Sequence, residues 1–239
     1  MPDADEPAGA LAAVPASGGR RAMPMPAQLK FFYGPMDCGK STLALQIDHN
    51  QARQGRHGLL LVLHDRSGQP KITTRVGLSR TAVEIDEGTD LRSIVREQWS
   101  AGHALDYLIL DEAGFLEPEQ VDQLAELVDD WHVDVYCFGI ATDFRTRLFP
   151  GAQRLMELAD EIAPVHVEVL CWCGRPGRLN ARVVDGRVAR EGDTVVVADT
   201  TPGGAEVHYQ VLCRLHHRHG ELGAAPAATA VSGQLSLNV

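Results

Sequence analysis

The stretch LKFFYGPMDCGKSTLALQIDHNQARQ, residues 29–54, decides the fold. Its centre, Gly34-Pro35-Met36-Asp37-Cys38-Gly39-Lys40-Ser41, fits G-x-x-x-x-G-K-[ST], and Thr42 follows. LKFFY before it reads as a buried strand, and residues 40–54 read as a helix. A strand entering the loop and a helix leaving it are the context in which this pattern has physical meaning. The glycines let the backbone turn so that successive N–H groups converge on phosphate oxygens, and the helix adds its positive N-terminal end. On this reading residues 34–42 hold a nucleotide. Lys40 neutralises charge on its β- and γ-phosphates, and the Ser41 hydroxyl ligates Mg²⁺. A chance Gly-Lys turn is the plain alternative, and both flanks speak against it.

Outward from the loop, residues 59–64 (LLLVLH), 105–110 (LDYLIL) and 133–139 (VDVYCFG) are nearly continuous apolar runs. Such runs imply strands covered on both faces, as in parallel sheets. Residues 118–131 place Val121, Leu124, Leu127 and Val128 on one helical face, with Pro118 in the first turn. Residues 152–160 are similar. Strand–helix alternation predicts an α/β fold with a mostly parallel sheet and helices on both sides. The run LILDE, 108–112, ends in acid. Asp111 is placed to reach Mg²⁺, directly or through water. Glu112 falls at the strand's C-terminal edge, where it can take a proton from an attacking hydroxyl or orient water. Alone, the Asp-Glu pair would read as a strand cap; beside a phosphate loop it reads as machinery. After about residue 165 the pattern changes to short β-like pieces (HVEVLCWC, LNARVV, DTVVVAD, VHYQVLC), which predicts a small β-rich second domain.

The chain has 239 residues and a formal net charge of −10. That acidity argues against a broad face for nucleic acid, though not against one phosphate pocket. No apolar run approaches the ~18 residues of a membrane span. The five cysteines are an odd number, which fits a reduced cytoplasmic protein better than a disulfide framework. Residues 1–27 and 221–239 are rich in Ala, Pro, Gly or other small residues and read as disordered tails. The division predicted is a nucleotide-binding domain over 28–165 and a small domain over 166–220.

These blocks together resemble the type II thymidine kinases. The resemblance runs from about Lys30 to Arg218 and rests on FFYGPMDCGKSTLAL, ITTRVG at 72–77, LILDEAGFL at 108–116, FGIATDFRTRLFPGA at 138–152 and YQVLCRLH at 209–216. It implies a RecA-like P-loop sheet with a zinc-ribbon-like lid. It also implies transfer of the γ-phosphate of ATP to the 5′-hydroxyl of thymidine, with Mg²⁺. By the same resemblance Glu112 is the general base, and Lys40 acts with it on the phosphates. Phe115 packs on the thymine ring, and Tyr209 belongs to the loop that closes over the nucleoside. Met36, Asn180 and Phe144 border the base pocket, with Arg145 beside them, and Asp65 and Arg75 precede the acceptor site. Inhibition by dTTP and a homotetramer are further expectations of the resemblance. Read without it, Phe115 and Phe144 are ordinary core aromatics, Arg75 is a surface cation, and Cys38 is either a reactive thiol or a small residue that fits the loop.

Two departures from the family stand out. Its second zinc half-site matches Cys213-Arg-Leu-His216, but the first reads Cys171-Trp-Cys173, with one intervening residue instead of two. On an extended strand Cys171 and Cys173 would still face the same side. Zinc on Cys171, Cys173, Cys213 and His216 and a rearranged, metal-free lid are both open at this point. A solvated basic helix end is the plain reading of His216-His217-Arg218-His219. The acidic block carries Gly114 where the family usually has Gln, which removes a side-chain amide near the base pocket. Two other functions compete: a regulatory P-loop ATPase with no nucleoside acceptor, and a degenerate kinase that senses thymidine nucleotides.

Overall fold

Alternation along each strand builds the protein from the sheet outward. The computed structural model describes residues 26–63, 70–74, 77–192, 194 and 207–223. In chain order the strands are β1 (Leu29–Tyr33), β2 (Gly58–Leu63), β3 (Lys71–Thr73), β4 (Ser79–Thr81), β5 (Val83–Ile85), β6 (Tyr107–Asp111), β7 (Asp134–Gly139), β8 (Glu161–Pro164), β9 (Leu179–Val184), β10 (Arg187–Val188) and β11 (Val207–Leu212). The helices are α1 (Lys40–Arg53), α2 (Leu91–Ser100), α3 (Pro118–Asp129), α4 (Pro150–Leu158) and α5 (Arg214–His219), with a single 3₁₀ turn at Ala113–Phe115.

Six strands form one parallel sheet in the order β5-β2-β6-β7-β1-β8. Odd and even positions bury on opposite faces. Leu61, Leu63, Leu108, Leu110, Val135 and Cys137 pack with the apolar stripes of α2, α3 and α4. Leu60, Val62, Tyr107, Ile109, Tyr136 and Phe138 pack instead with Ala44 and Leu45 of α1 and Ile72 of β3. Burial on both faces is the reason these strands read as unbroken apolar runs. The sheet and its helices agree with the predicted α/β fold.

Several elements lie outside the sequence reading, among them β5 and β8, the short strands at the two edges of the main sheet. Helix α2 is another, although it carries Leu91, Ile94 and Val95 at helical spacing toward the core, so its signal is present in the sequence; Asp90 caps it by accepting from Arg92 N–H at 3.0 Å. The β3–β4 hairpin is three residues per strand, too short to show alternation.

The small antiparallel sheet, in the order β10-β9-β11, bears out the β-rich character of the second part. One piece differs from expectation. HVEVLCWC forms no strand: 165–169 are irregular, and Leu170 makes a lone bridge to Pro176. Cys171 to Gly174 is a tight turn closed by Gly174 N–H on the Cys171 carbonyl at 2.8 Å. Gly174, at φ 80°, and the nearby Pro176 favour reversal over extension. DTVVVAD falls almost wholly outside the described residues.

Candidate active site and metal cluster

The loop after β1 is built by residues that tolerate unusual backbone. Asp37 and Gly39 lie at φ 69° and 81°. Gly34 is obligatory in another way, because a Cβ there would stand 2.5 Å from Cys38 Sγ. Cys38 is fully buried, and burial pushes its thiol pKa up against the opposing pull of Lys40. It is therefore the small loop residue of the two readings, not a reactive thiol. Helix α1 opens without a side-chain cap and with no acidic residue in its first turn, which leaves its N–H groups for an anion. Lys40 Nζ donates to the carbonyls of Pro35 at 2.9 Å and Gly34 at 3.4 Å, so its ammonium hangs over the same loop.

Sheet order brings β6 and its acidic end close to this loop. Ser41 Oγ donates to Asp111 Oδ2 at 2.7 Å. Asp111 is buried, and loss of hydration raises its pKa, opposed by the Ser41 hydroxyl, the Glu112 N–H and Lys40. Glu112 sits in the left-handed region at φ 58°, ψ 28°, where few side chains rest without a tertiary reason. Its residue surface is partly open, yet its carboxyl is set deep among protein atoms. Desolvation, helped by the Asp111 charge and opposed by Lys40, pushes its pKa up to about 7. Next to it, a Cβ on Gly114 would meet the Ile140 carbonyl oxygen at 2.2 Å, and one on Gly139 would meet Gly114 N at 2.6 Å. The space of the family's Gln side chain is thus taken by the end of β7.

The aromatic candidates occupy different settings. Phe115 is half-buried and packs edge-on against Phe149, with centroids 4.7 Å apart. Phe144 is buried beneath the Arg182 guanidinium, which lies 3.9 Å from its ring centre. Arg145 pairs with Asp143 at 2.9 Å. Asn180, buried on β9, accepts the Met36 N–H at 2.8 Å, and so ties the phosphate loop to the lid. Tyr209 lies opposite Arg182 in the β9–β11 register and is partly exposed. Asp65 and Arg75 lie outside the described residues. A cleft of about 370 Å³ between the phosphate loop and the lid is lined by Gly34, Pro35, Thr142, Val167, Arg178 and Asn180. Thr142 and Arg178 carried no sequence signal.

The lid's thiols converge. One donor atom from each of Cys171, Cys173, Cys213 and His216 lies within 4.8 Å of all the others. Cys173 Sγ and Cys213 Sγ are 4.0 Å apart, and Cys171 Sγ and His216 Nδ1 are 3.4 Å apart. Tetrahedral zinc, with bonds of about 2.3 Å to sulfur and 2.0 Å to nitrogen, sets these edges near ~3.8 and ~3.5 Å. The donor set therefore fits zinc, and the turn at residues 171–174 brings the closely spaced cysteines together where an extended strand was expected. Of the basic run, only Arg218 and His219 form a solvated helix end. His216 and His217 are buried, and His217 Nε2 lies 2.9 Å from the Phe144 carbonyl.

The family model described as "Thymidine kinase" matches residues 27–217. A thymidine kinase of Cutibacterium acnes is 55% identical over 203 residues, covering 85% of this chain and 94% of that protein. Thymidine kinases of Streptomyces avermitilis and Streptomyces coelicolor are 53% and 52% identical, each match covering 86% of this chain and 95% of the relative.

Proposed function

The chain belongs to the thymidine kinase family, and from that premise we propose that it transfers the γ-phosphate of ATP to the 5′-hydroxyl of thymidine. The product, dTMP, serves nucleotide salvage, and deoxyuridine is a second acceptor. The observation that carries this reading is the 2.7 Å bond joining Ser41 of the phosphate loop to Asp111 at the acidic strand end, with Glu112 next in the chain.

Each residue has a task that its setting suits. The loop amides and Lys40 bind the triphosphate and spread the charge that develops on the transferred group. Ser41 and Asp111 offer hard oxygen donors side by side, and these would hold Mg²⁺. Mg²⁺, when bound there, supplies positive charge to the phosphoryl oxygens. Glu112, about half ionised near pH 7 and more fully above it, accepts the 5′-hydroxyl proton as that oxygen approaches phosphorus. Met36, Phe115, Asn180 and Tyr209 are assigned to the walls of the nucleoside pocket, with Asp65 and Arg75 ahead of it, while Phe144, buried under Arg182, supports them from behind. The lid keeps water from the phosphate, which favours transfer over hydrolysis.

In the lid, Cys171, Cys173, Cys213 and His216 would hold a structural zinc that ties the first turn to the last helix. We place the working domains at 28–165 and 166–220. Family membership is the support for a homotetramer and for feedback inhibition by dTTP. None of the five cysteines is in a disulfide, and three of them meet at the metal cluster; a cytoplasmic setting is part of this proposal. No described helix is long and apolar enough to cross a membrane.

The test is transfer of radiolabelled γ-phosphate from ATP to thymidine, with deoxyuridine, deoxycytidine and no-acceptor arms. Labelled dTMP is the expected product. ATP hydrolysis that ignores the acceptor would favour a regulatory ATPase, and thymidine binding without turnover would favour a sensor.

A further inference from the structure

The last described residues, Gly220 to Gly223, fold back over the cysteine–histidine cluster. Gly220 lies at φ 72° and ends α5. Its N–H bonds the His217 carbonyl at 3.3 Å, and Glu221 N–H bonds the His216 carbonyl at 3.0 Å. This double closure returns the chain across the helix end. It sets the Glu221 carboxylate 3.6 Å from His216 Nε2, an ion-pair separation. The other ring nitrogen, Nδ1, faces Cys171 Sγ. Between the two cysteines of the turn stands Trp172. Its ring stacks on the His216 imidazole, with centroids 4.2 Å apart and planes 9° from parallel. Its indole N–H donates to the Glu221 carbonyl at 3.2 Å. A Cβ on Gly223 would collide with Trp172 at 2.4 Å, so the returning chain lies directly on the indole.

We propose that Trp172 and Glu221 form the outer shell of the metal cluster, fixing His216 to bind zinc through Nδ1. The Glu221 carboxylate, at 3.6 Å and so acting by its charge rather than through a direct hydrogen bond, favours the proton on Nε2 and leaves the Nδ1 lone pair for the metal. Trp172 fixes the plane of the ring and covers it. A histidine ligand needs both constraints, because its ring can otherwise rotate and exchange tautomers. The single residue of the Cys-x-Cys turn thereby acquires a role that spacing alone did not suggest. Glu221 and Trp172 are positioning residues: both act through His216. The inference rests on the zinc reading given above.

The experiment measures zinc content of the full chain and the rate at which a chromophoric chelator extracts it, alongside tryptophan emission. Glu221 is about half exposed and also lies 3.4 Å from His219 Nδ1, so Glu221→Gln is compared with His219→Gln. Glu221→Gln should lose zinc on the order of ten- to a hundredfold faster, the usual effect of removing such a partner. His219→Gln should leave the rate unchanged. Trp172→Phe should abolish the part of the emission that changes on zinc removal, since Trp99 and Trp131 lie elsewhere, paired in a tilted contact with each other. Zinc retained equally by wild type and Glu221→Gln, or equal losses in both variants, overturns this inference and leaves the zinc reading intact. Wild-type protein isolated under chelator-free conditions without zinc overturns both.

Discussion

The side-chain oxygen of Asn180 accepts the backbone N–H of Met36 across 2.8 Å, joining the phosphate loop to a lid strand 144 residues away in the chain. The bond fixes Met36 at the mouth of the loop and places β9 against it. Position of the lid and shape of the loop are therefore one structural variable, and the cleft between them depends on both.

Asn180→Ala leaves the Met36 N–H without its partner. The expected cost is about 1 kcal/mol, since the donor is only part-buried and water can reach it in part. Because the lid loses its register on the loop, KM for thymidine should rise more than kcat falls. Steady-state kinetics with a urea titration check this. Unchanged KM and stability would show that the bond holds nothing.

Glu112→Gln should bind ATP and thymidine while losing on the order of 10²–10⁴-fold in kcat. In the wild type, turnover should fall about tenfold per unit as pH drops below about 7, where the carboxyl takes up its proton. The variant should lack this limb. A persisting limb near 7 would assign the titration to another group.

The same shift has a stability consequence. The folded-state pKa lies above the ordinary 4.5, so the folded protein binds the proton more tightly than the unfolded chain. Ionisation of Glu112 therefore destabilises progressively from pH 4.5 to about 7, and fully above it. Glu112→Gln removes that charge. Its melting temperature should exceed the wild type's at pH 8, by at most about 3 kcal/mol of stability, and match it near pH 4. Thermal melts at the two pH values decide.

Ser41→Ala separates the metal-ligand role from loop geometry. Asp111 loses the 2.7 Å bond that offsets its burial. The variant should need more Mg²⁺ for half-maximal turnover and lose roughly 10²-fold or more in kcat. A magnesium titration reads it, and an unshifted midpoint would remove Ser41 from the metal's ligands.

Gly114→Gln installs the residue this block usually carries in the family. Here its Cβ would meet the Ile140 carbonyl at 2.2 Å, and the β7 end would have to move. We expect destabilisation of about 1–3 kcal/mol by chemical denaturation. A neutral or stabilising result would show that β7 yields without strain.

Much of this was legible in the residues. Glycines, Lys40 and Ser41 between a strand and a helix announced the phosphate loop, and LILDE announced the acidic strand end. Both signals survive in one dimension because the groups concerned are neighbours in the chain. Helix α2 was equally legible, with Leu91, Ile94 and Val95 at helical spacing behind the Asp90 cap. The cysteine turn was misread as a strand, since Val167, Val169 and Leu170 mimic alternation, although Val167 and Leu170 are mostly exposed.

By itself, then, the sequence determined the local chemistry: which residues cradle phosphate, which carboxylates end β6, and which strands must be buried on both faces. Those follow from backbone periodicity and from the conformational limits of single residues. Only the tertiary structure decided the rest. It set Asn180 on Met36, gave the space beside Gly114 to Ile140, and drew Cys171 and His216 to 3.4 Å across 45 residues. Such contacts depend on how separate elements pack, and packing is set by the summed burial of many side chains, so no short spacing records it.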